Sequence, residues 1–206
     1  VISDGEWDVG PMALRIDKKE QLFGPKLDKW SGADDASMDV YLKYDNEKFY
    51  VAAIVKDDVY RQINPYDKMW NGDSLQVLIG FDPADTGTQY GIGLADGVTP
   101  SVYRNMQEDN LGGFGGEDAK GLYTDGEVAI KRNGEYTVYE ASFPWDKIKY
   151  GGGQIMPGQK IAFSIIYNDD DGENRENWIE YANNCIGSGA NRNAEAVSAL
   201  LIPSGM

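Results

Sequence analysis

The chain has 206 residues, 34 of them acidic and 19 basic, giving a formal net charge of −15. That length supports one domain with a core of ordinary size, and the acidic excess repels nucleic acid phosphates and anionic membranes. Histidine is absent altogether, which excludes Ser-His-Asp and Cys-His catalysis, His-bound zinc and His-ligated haem.

In chain order, Met38 to Tyr44 alternates apolar and polar residues, Asp45-Asn46-Glu47 turns, and Phe49 to Val55 returns as a more buried strand. Ser74 to Ile79 forms another strand, closed by Asp82-Pro83. A glycine-rich surface loop is expected between Gly112 and Gly126. Glu127 to Lys131 and Tyr136 to Phe143 flank Asn133-Gly134, a hairpin signal because that pair accepts positive φ. Pro144 to Ile148 has room for one helical turn, Ile161 to Tyr167 reads as a late buried strand, and Ala196 to Ile202 as the last. Many strands joined by Gly, Asn and Asp turns predict an all-β fold, a two-sheet antiparallel β-sandwich of jelly-roll-like character. With no repeat and no linker, residues 1–206 read as a single module. Cys185 has no partner for an internal disulfide, no apolar run reaches membrane-span length, and the N-terminus lacks a basic and apolar signal sequence. Opening on Val1, the chain is expected to be excised from a larger multidomain precursor.

Five stretches in order carry a resemblance. They are Asp28-Lys29-Trp30-Ser31-Gly32 after an opening Asp4-Gly5; Phe49 to Val59 with its paired Asp57-Asp58; and Met69-Trp70-Asn71-Gly72-Asp73-Ser74-Leu75-Gln76-Val77. Then follow Tyr136 to Trp145, and Pro157-Gly158-Gln159-Lys160-Ile161 leading to Asn168-Asp169-Asp170-Asp171-Gly172. Together they resemble the family 9 carbohydrate-binding modules and their wider sugar- and haem-binding sandwich superfamily. The chain departs from that pattern at Gln76, where the sugar-binding prototypes carry Glu, and between Gly97 and Gly126.

The resemblance implies a non-catalytic module that sandwiches one sugar between two tryptophans. Trp70 matches the first by motif position, and Trp178, just beyond the acidic loop, is the candidate for the second. The chemistry is apt: a flat aromatic covers the C–H face of a sugar ring while planar polar groups reach its rim of hydroxyls. Trp7, Trp30 and Trp145 are assigned to packing. If Leu75, Val77 and Ile79 point inward, Ser74 and Gln76 lie on the opposite face, and Asn168 stands opposite Phe163, Ile165 and Tyr167 by the same parity. Arg104 matches an arginine of the family's sugar site. The expected sugar-binding set is therefore Trp70, Trp178, Gln76, Arg104 and Asn168.

Asn168 to Glu173 also suggests calcium, since hard cations take several oxygens on a tight turn. The stretch is not an EF-hand, because aligning Gly172 with that loop's glycine puts Trp178 where the last ligand, Glu, belongs. Structural Ca²⁺, which the family often carries, is expected with ligands among Asp4, Asp57, Asp58, Asp169 and Asp171. The implied partners are an oligo- or polysaccharide such as cellulose or xylan and an appended polysaccharide-degrading domain. There is no nucleic acid and no membrane insertion, the expected state is monomeric, and the implied setting is the outside or surface of a bacterial cell. The rivals are an adhesive module without a live sugar site, a glycoside-cleaving enzyme with two carboxylates about 5–10 Å apart, and a haem domain restricted to Met ligands.

Overall fold

The computed structural model describes residues 12–80, 87–106, 120–148, 158–182, 186–187 and 197–200. Their strands are β1 (Leu14–Ile16), β2 (Leu22–Phe23), β3 (Ala36–Tyr44), β4 (Lys48–Asp57), β5 (Ser74–Gly80), β6 (Thr88–Ala95) and β7 (Thr99–Met106). β8 (Gly121–Leu122), β9 (Val128–Asn133), β10 (Tyr136–Pro144), the single helical turn α1 (Trp145–Ile148), β11 (Lys160–Asp169), β12 (Asn177–Glu180) and β13 (Val197–Leu200) complete the order. Short 3-10 helices cover Lys19–Gln21 and Tyr66–Asn71.

All pairings are antiparallel, and they make two sheets. One runs β1-β3-β4-β10-β9; the other runs β2-β12-β11-β5-β6-β7-β8, with β13 also paired to β11. The sandwich expected from the alternating strands is present. Its local determinants are visible at the hairpins. Asp45 Oδ1 accepts the Glu47 and Lys48 N–H groups, each at 2.7 Å, and so closes the β3–β4 turn. At the β9–β10 turn Asn133 pairs with Tyr136, and Gly134 takes a φ of +61° at the first turn position. That is the conformation a two-residue hairpin loop requires of its glycine.

Inward-facing residues of both sheets meet in one core. Val40, Val51, Val55, Tyr139 and Phe143 come from the first sheet; Leu75, Val77, Ile79, Tyr90, Phe163, Ile165 and Tyr167 come from the second. Rings interlock across the interface, with Phe49 edge-on to Phe163 at 6.0 Å between centroids and Tyr90 tilted against Phe143 at 4.7 Å. Trp30 and Trp145 serve packing, each anchoring its indole N–H on a backbone carbonyl, of Ala36 and Asp45 respectively. β1, β2, β6, β8 and β12 went unread as elements in the sequence, while Tyr103 and Arg104 were expected on a strand, as β7 shows. Trp7, Asp4, Asp82-Pro83, Cys185, most of the glycine-rich loop and the ends of the last strand lie outside the described residues.

Candidate functional site

The alternation that buries Leu75, Val77 and Ile79 turns Ser74, Gln76 and Leu78 to the outer face of the larger sheet. Cross-strand partners share a face, so the ladders extend this surface. Trp178 opposes Asn168, which opposes Ser74. In the next row Ile166 opposes Gln76, Gln76 opposes Gly91, and Gly91 opposes Tyr103. Gly91 and Gly93 leave space above β6 that Met69 fills; a Cβ on Gly93 would stand 3.2 Å from its Sδ.

Met69 is the buried anchor of the helix Tyr66–Asn71, and its neighbour Trp70 faces outward, 40% exposed. The end of this helix is held firmly. Gln62 Nε2 donates to the Met69 carbonyl at 2.8 Å, and Ser74 Oγ lies 2.7 Å from the same oxygen. Both add to the Gly72 N–H, which donates to the same helix-end carbonyl at 3.1 Å. Trp178, by contrast, is only 8% exposed and packs with Leu78, Ile166, Ala182 and Ile186. The Gly187 backbone lies so close to its indole that a Cβ there would come within 1.9 Å of Nε1.

Between the two indoles lies the guanidinium of Arg175. Its central carbon stands 5.1 Å from the Trp70 ring centre and 4.2 Å from that of Trp178, within cation–π range of both. The turn that delivers it is tied twice to Asn71: Arg175 N–H donates to the Asn71 carbonyl at 2.9 Å, and Asn71 Nδ2 donates to Asn174 Oδ1 at 2.7 Å. Arg175 Nη1 then donates to Asn168 Oδ1 at 3.0 Å. Asn168 Nδ2 in turn lies 3.1 Å from Ser74 Oγ and 3.3 Å from Gln76 Oε1. Burial pushes the Arg175 pKa down to about 10, because the charged form is partly stripped of water.

Four of the five sugar-site residues expected from the sequence, Trp70, Trp178, Gln76 and Asn168, therefore share one face. Arg104 does not join them. It opposes Tyr90, which is fully buried in the core, and its charge acts on Tyr90 and Tyr123. The register that runs unbroken from Ala95↔Thr99 to Tyr90↔Arg104 puts Tyr103, not Arg104, beside Gly91 on the outer face. Arg175 is the residue that sequence reasoning missed. The available signal was its position as the only basic side chain between Asn168 and Trp178.

On the other side of the same turn, carboxylate oxygens of Asp35, Asp169 and Asp171 lie within 4.8 Å of one another. Asp169 is buried and its Oδ1 has no partner among the described residues. Burial first, then the neighbouring carboxylates, pushes Asp169 up to about 8 and Asp171 up to about 6. Asp35 is also raised, chiefly by burial. Three crowded carboxyls, one with an orphaned oxygen, fit a hard divalent cation with oxygen preference. Asp58 adds its charge to Asp35 and Asp171. Asp57 belongs elsewhere: it accepts the Tyr167 hydroxyl and the Val59 N–H and lies 3.7 Å from Arg132. Asp35, which no sequence pattern marked, stands in its place.

The molecule is thus an all-β sandwich with an aromatic and amide-lined patch on the outer face of one sheet. The chain belongs to the carbohydrate family 9 binding domain-like family, whose model matches residues 20–186. Its fold is similar to that of a family 9 carbohydrate-binding module from Caldicellulosiruptor kristjanssonii solved in complex with cellotriose. The two are 16% identical with a TM-score of 0.61 over 85% of this chain and 80% of that one. The structure described as that organism's family 9 module in complex with glucose matches at 16% identity and a TM-score of 0.62, covering 89% and 85%. No curated protein matches the sequence.

Proposed function

We propose that the outer face around Trp70 binds carbohydrate and that the chain is a non-catalytic binding module. The observation that carries this reading is the Trp70–Arg175–Trp178 stack continued by hydrogen bonds through Asn168 to Gln76. It supplies an apolar platform and a row of planar polar groups, the two elements sugar recognition needs. Family membership and the cellotriose and glucose complexes of the similar structures support it. Ser74, Gln76, Asn168 and Arg175 contain no carboxyl group, so this set offers no general acid for glycoside cleavage.

Trp70 is the exposed stacking surface in this reading, and Trp178 backs it through Arg175. A full sandwich of one sugar between the indoles requires the guanidinium to leave the slot. The cation site formed by Asp35, Asp169 and Asp171 holds calcium in a structural role, keeping these carboxyls ionised and tying the turn at residue 35 to the end of β11. In its natural setting the module is monomeric, acts outside the cell, and concentrates an attached polysaccharide-degrading enzyme on its substrate. Affinity for a small saccharide is on the order of micromolar, since few ligand atoms contribute.

Titration calorimetry against glucose, xylose, cellobiose, xylobiose and soluble polysaccharides, with and without calcium, tests this. Saturable binding that Trp70→Ala abolishes is the expected result. A flat response across the panel favours the adhesive module without a live sugar site.

A further inference from the structure

Resting on the carbohydrate reading, we propose that Arg175 sets the ligand class: the site selects a saccharide carrying an isolated carboxylate, a uronic acid residue on an otherwise neutral chain. The guanidinium lies over the rings of both Trp70 and Trp178, and its N–H groups remain for hydrogen bonding. It carries five N–H donors, and one of the nitrogens, Nη1, donates to Asn168. Among the described residues no carboxylate pairs with Arg175. Glu180, whose charge acts on it, accepts the Ile186 and Gly187 N–H groups at 2.6 and 3.2 Å.

The side-chain amide oxygens beside it each already accept one hydrogen bond. Asn168 Oδ1 faces Arg175, and Gln76 Oε1 faces the Asn168 amide. What remains on offer is chiefly donors: the other Arg175 N–H groups and the Gln76 amide nitrogen. A neutral sugar presents hydroxyls that both give and accept, and it finds few acceptors in this set. A carboxylate only accepts, matches the two parallel N–H groups of a guanidinium, and supplies the countercharge that a partly desolvated arginine lacks. The formal net charge of −15 sets a limit in the other direction. A polyanion is repelled by the protein's field at long range, whereas one carboxylate held against Arg175 interacts at contact. The favoured ligand therefore has a single acidic sugar.

The test compares methyl glucuronide with methyl glucoside, which differ in one substituent at the same ring carbon, by calorimetry on the wild-type protein. The glucuronide is expected to bind about tenfold more tightly, the size of one added charge-assisted pair. Arg175→Gln is expected to bring the ratio of the two affinities close to one, and Arg175→Lys, which keeps the charge without the fork, to remove most of the preference. Should a variant fail to fold, the wild-type comparison still decides. Equal affinities for the two glycosides overturn this inference while leaving the carbohydrate site standing. No binding of either glycoside, nor of the neutral oligosaccharides, overturns both. Polygalacturonate bound as tightly as the monouronide overturns the restriction to an isolated acid.

Discussion

Trp70 and Trp178 are chemically alike and sit in opposite circumstances. One is 40% exposed and the other 8%. Trp70→Ala removes the stacking surface but little packing, so it is expected to abolish saccharide binding and change unfolding free energy by less than about 1 kcal/mol. Trp178→Ala empties a packed cluster and is expected to cost about 3–5 kcal/mol. Urea denaturation beside calorimetry separates the two roles. If Trp70→Ala destabilises as strongly as Trp178→Ala, it is a core residue and the site assignment fails. At this scale the sequence was readable wherever strand parity applied, since alternation placed Ser74, Gln76 and Asn168 away from the core. It was unreadable at Arg175, whose place between two indoles is set by a turn that folds back onto Asn71. Arg104 pairs with the buried Tyr90, and that cross-strand pairing, not the residues next to it in the chain, sets its face.

Between elements, the joints around the site depend on buried carboxylates. Asp73, fully buried, accepts the Asp170 N–H at 2.9 Å through Oδ1 and the Arg61 N–H through Oδ2. It thereby fastens the segment before the Trp70 helix to the turn that carries Arg175, and Arg61 Nη1 adds a 2.6 Å ion pair to Asp170. Asp73→Ala strands two backbone donors and is expected to cost about 3 kcal/mol, with a lower midpoint in urea; an unchanged midpoint means the joint carries no load. Burial raises the Asp73 pKa well above the ordinary carboxylate value, and the two donated N–H groups oppose that shift. Element prediction from sequence succeeded for β3, β4, β5, β9, β10 and β11, whose alternation or apolar runs are continuous. β6 escaped because Gly91 and Gly93 occupy its outer positions, leaving only Tyr90 and Ile92 to mark the inner face. β12 escaped because four residues are too few to show a period.

For the molecule as a whole, the crowded acids are expected to couple stability to pH and, through the proposed cation site, to calcium. Asp169 and Asp171 bind protons more tightly when folded, at about 8 and about 6, than an unfolded aspartate at about 3.9. Without a cation, this cluster's contribution to stability is therefore fully present below about pH 4 and is lost as pH rises through 6 and towards 8. A bound calcium replaces the protons, so the melting-temperature gap between calcium and chelator is expected to widen from about pH 5 to about pH 8. A gap that is absent, or that shrinks with pH, overturns the cation site. Because one turn bears both Asp171 and Arg175, chelation is also expected to weaken saccharide affinity severalfold at neutral pH, measured in the same titrations. The net charge of −15 adds a general effect: salt screens self-repulsion, and the chelated protein is expected to melt at a higher temperature as salt is raised.

The outer face of β5 and β11 has a consequence for adaptation. Leu75, Val77, Phe163 and Ile165 alternate with Gln76, Asn168 and their neighbours, so each strand carries two texts, one read by the core and one by the proposed ligand. Selection, natural or in a display library, can rewrite positions 76, 103, 168 and 175 while the other text stays constant. Ligand preference in such a scaffold can diverge quickly under a conserved architecture, and an engineer wishing to retune it has a small, separable set of positions to vary.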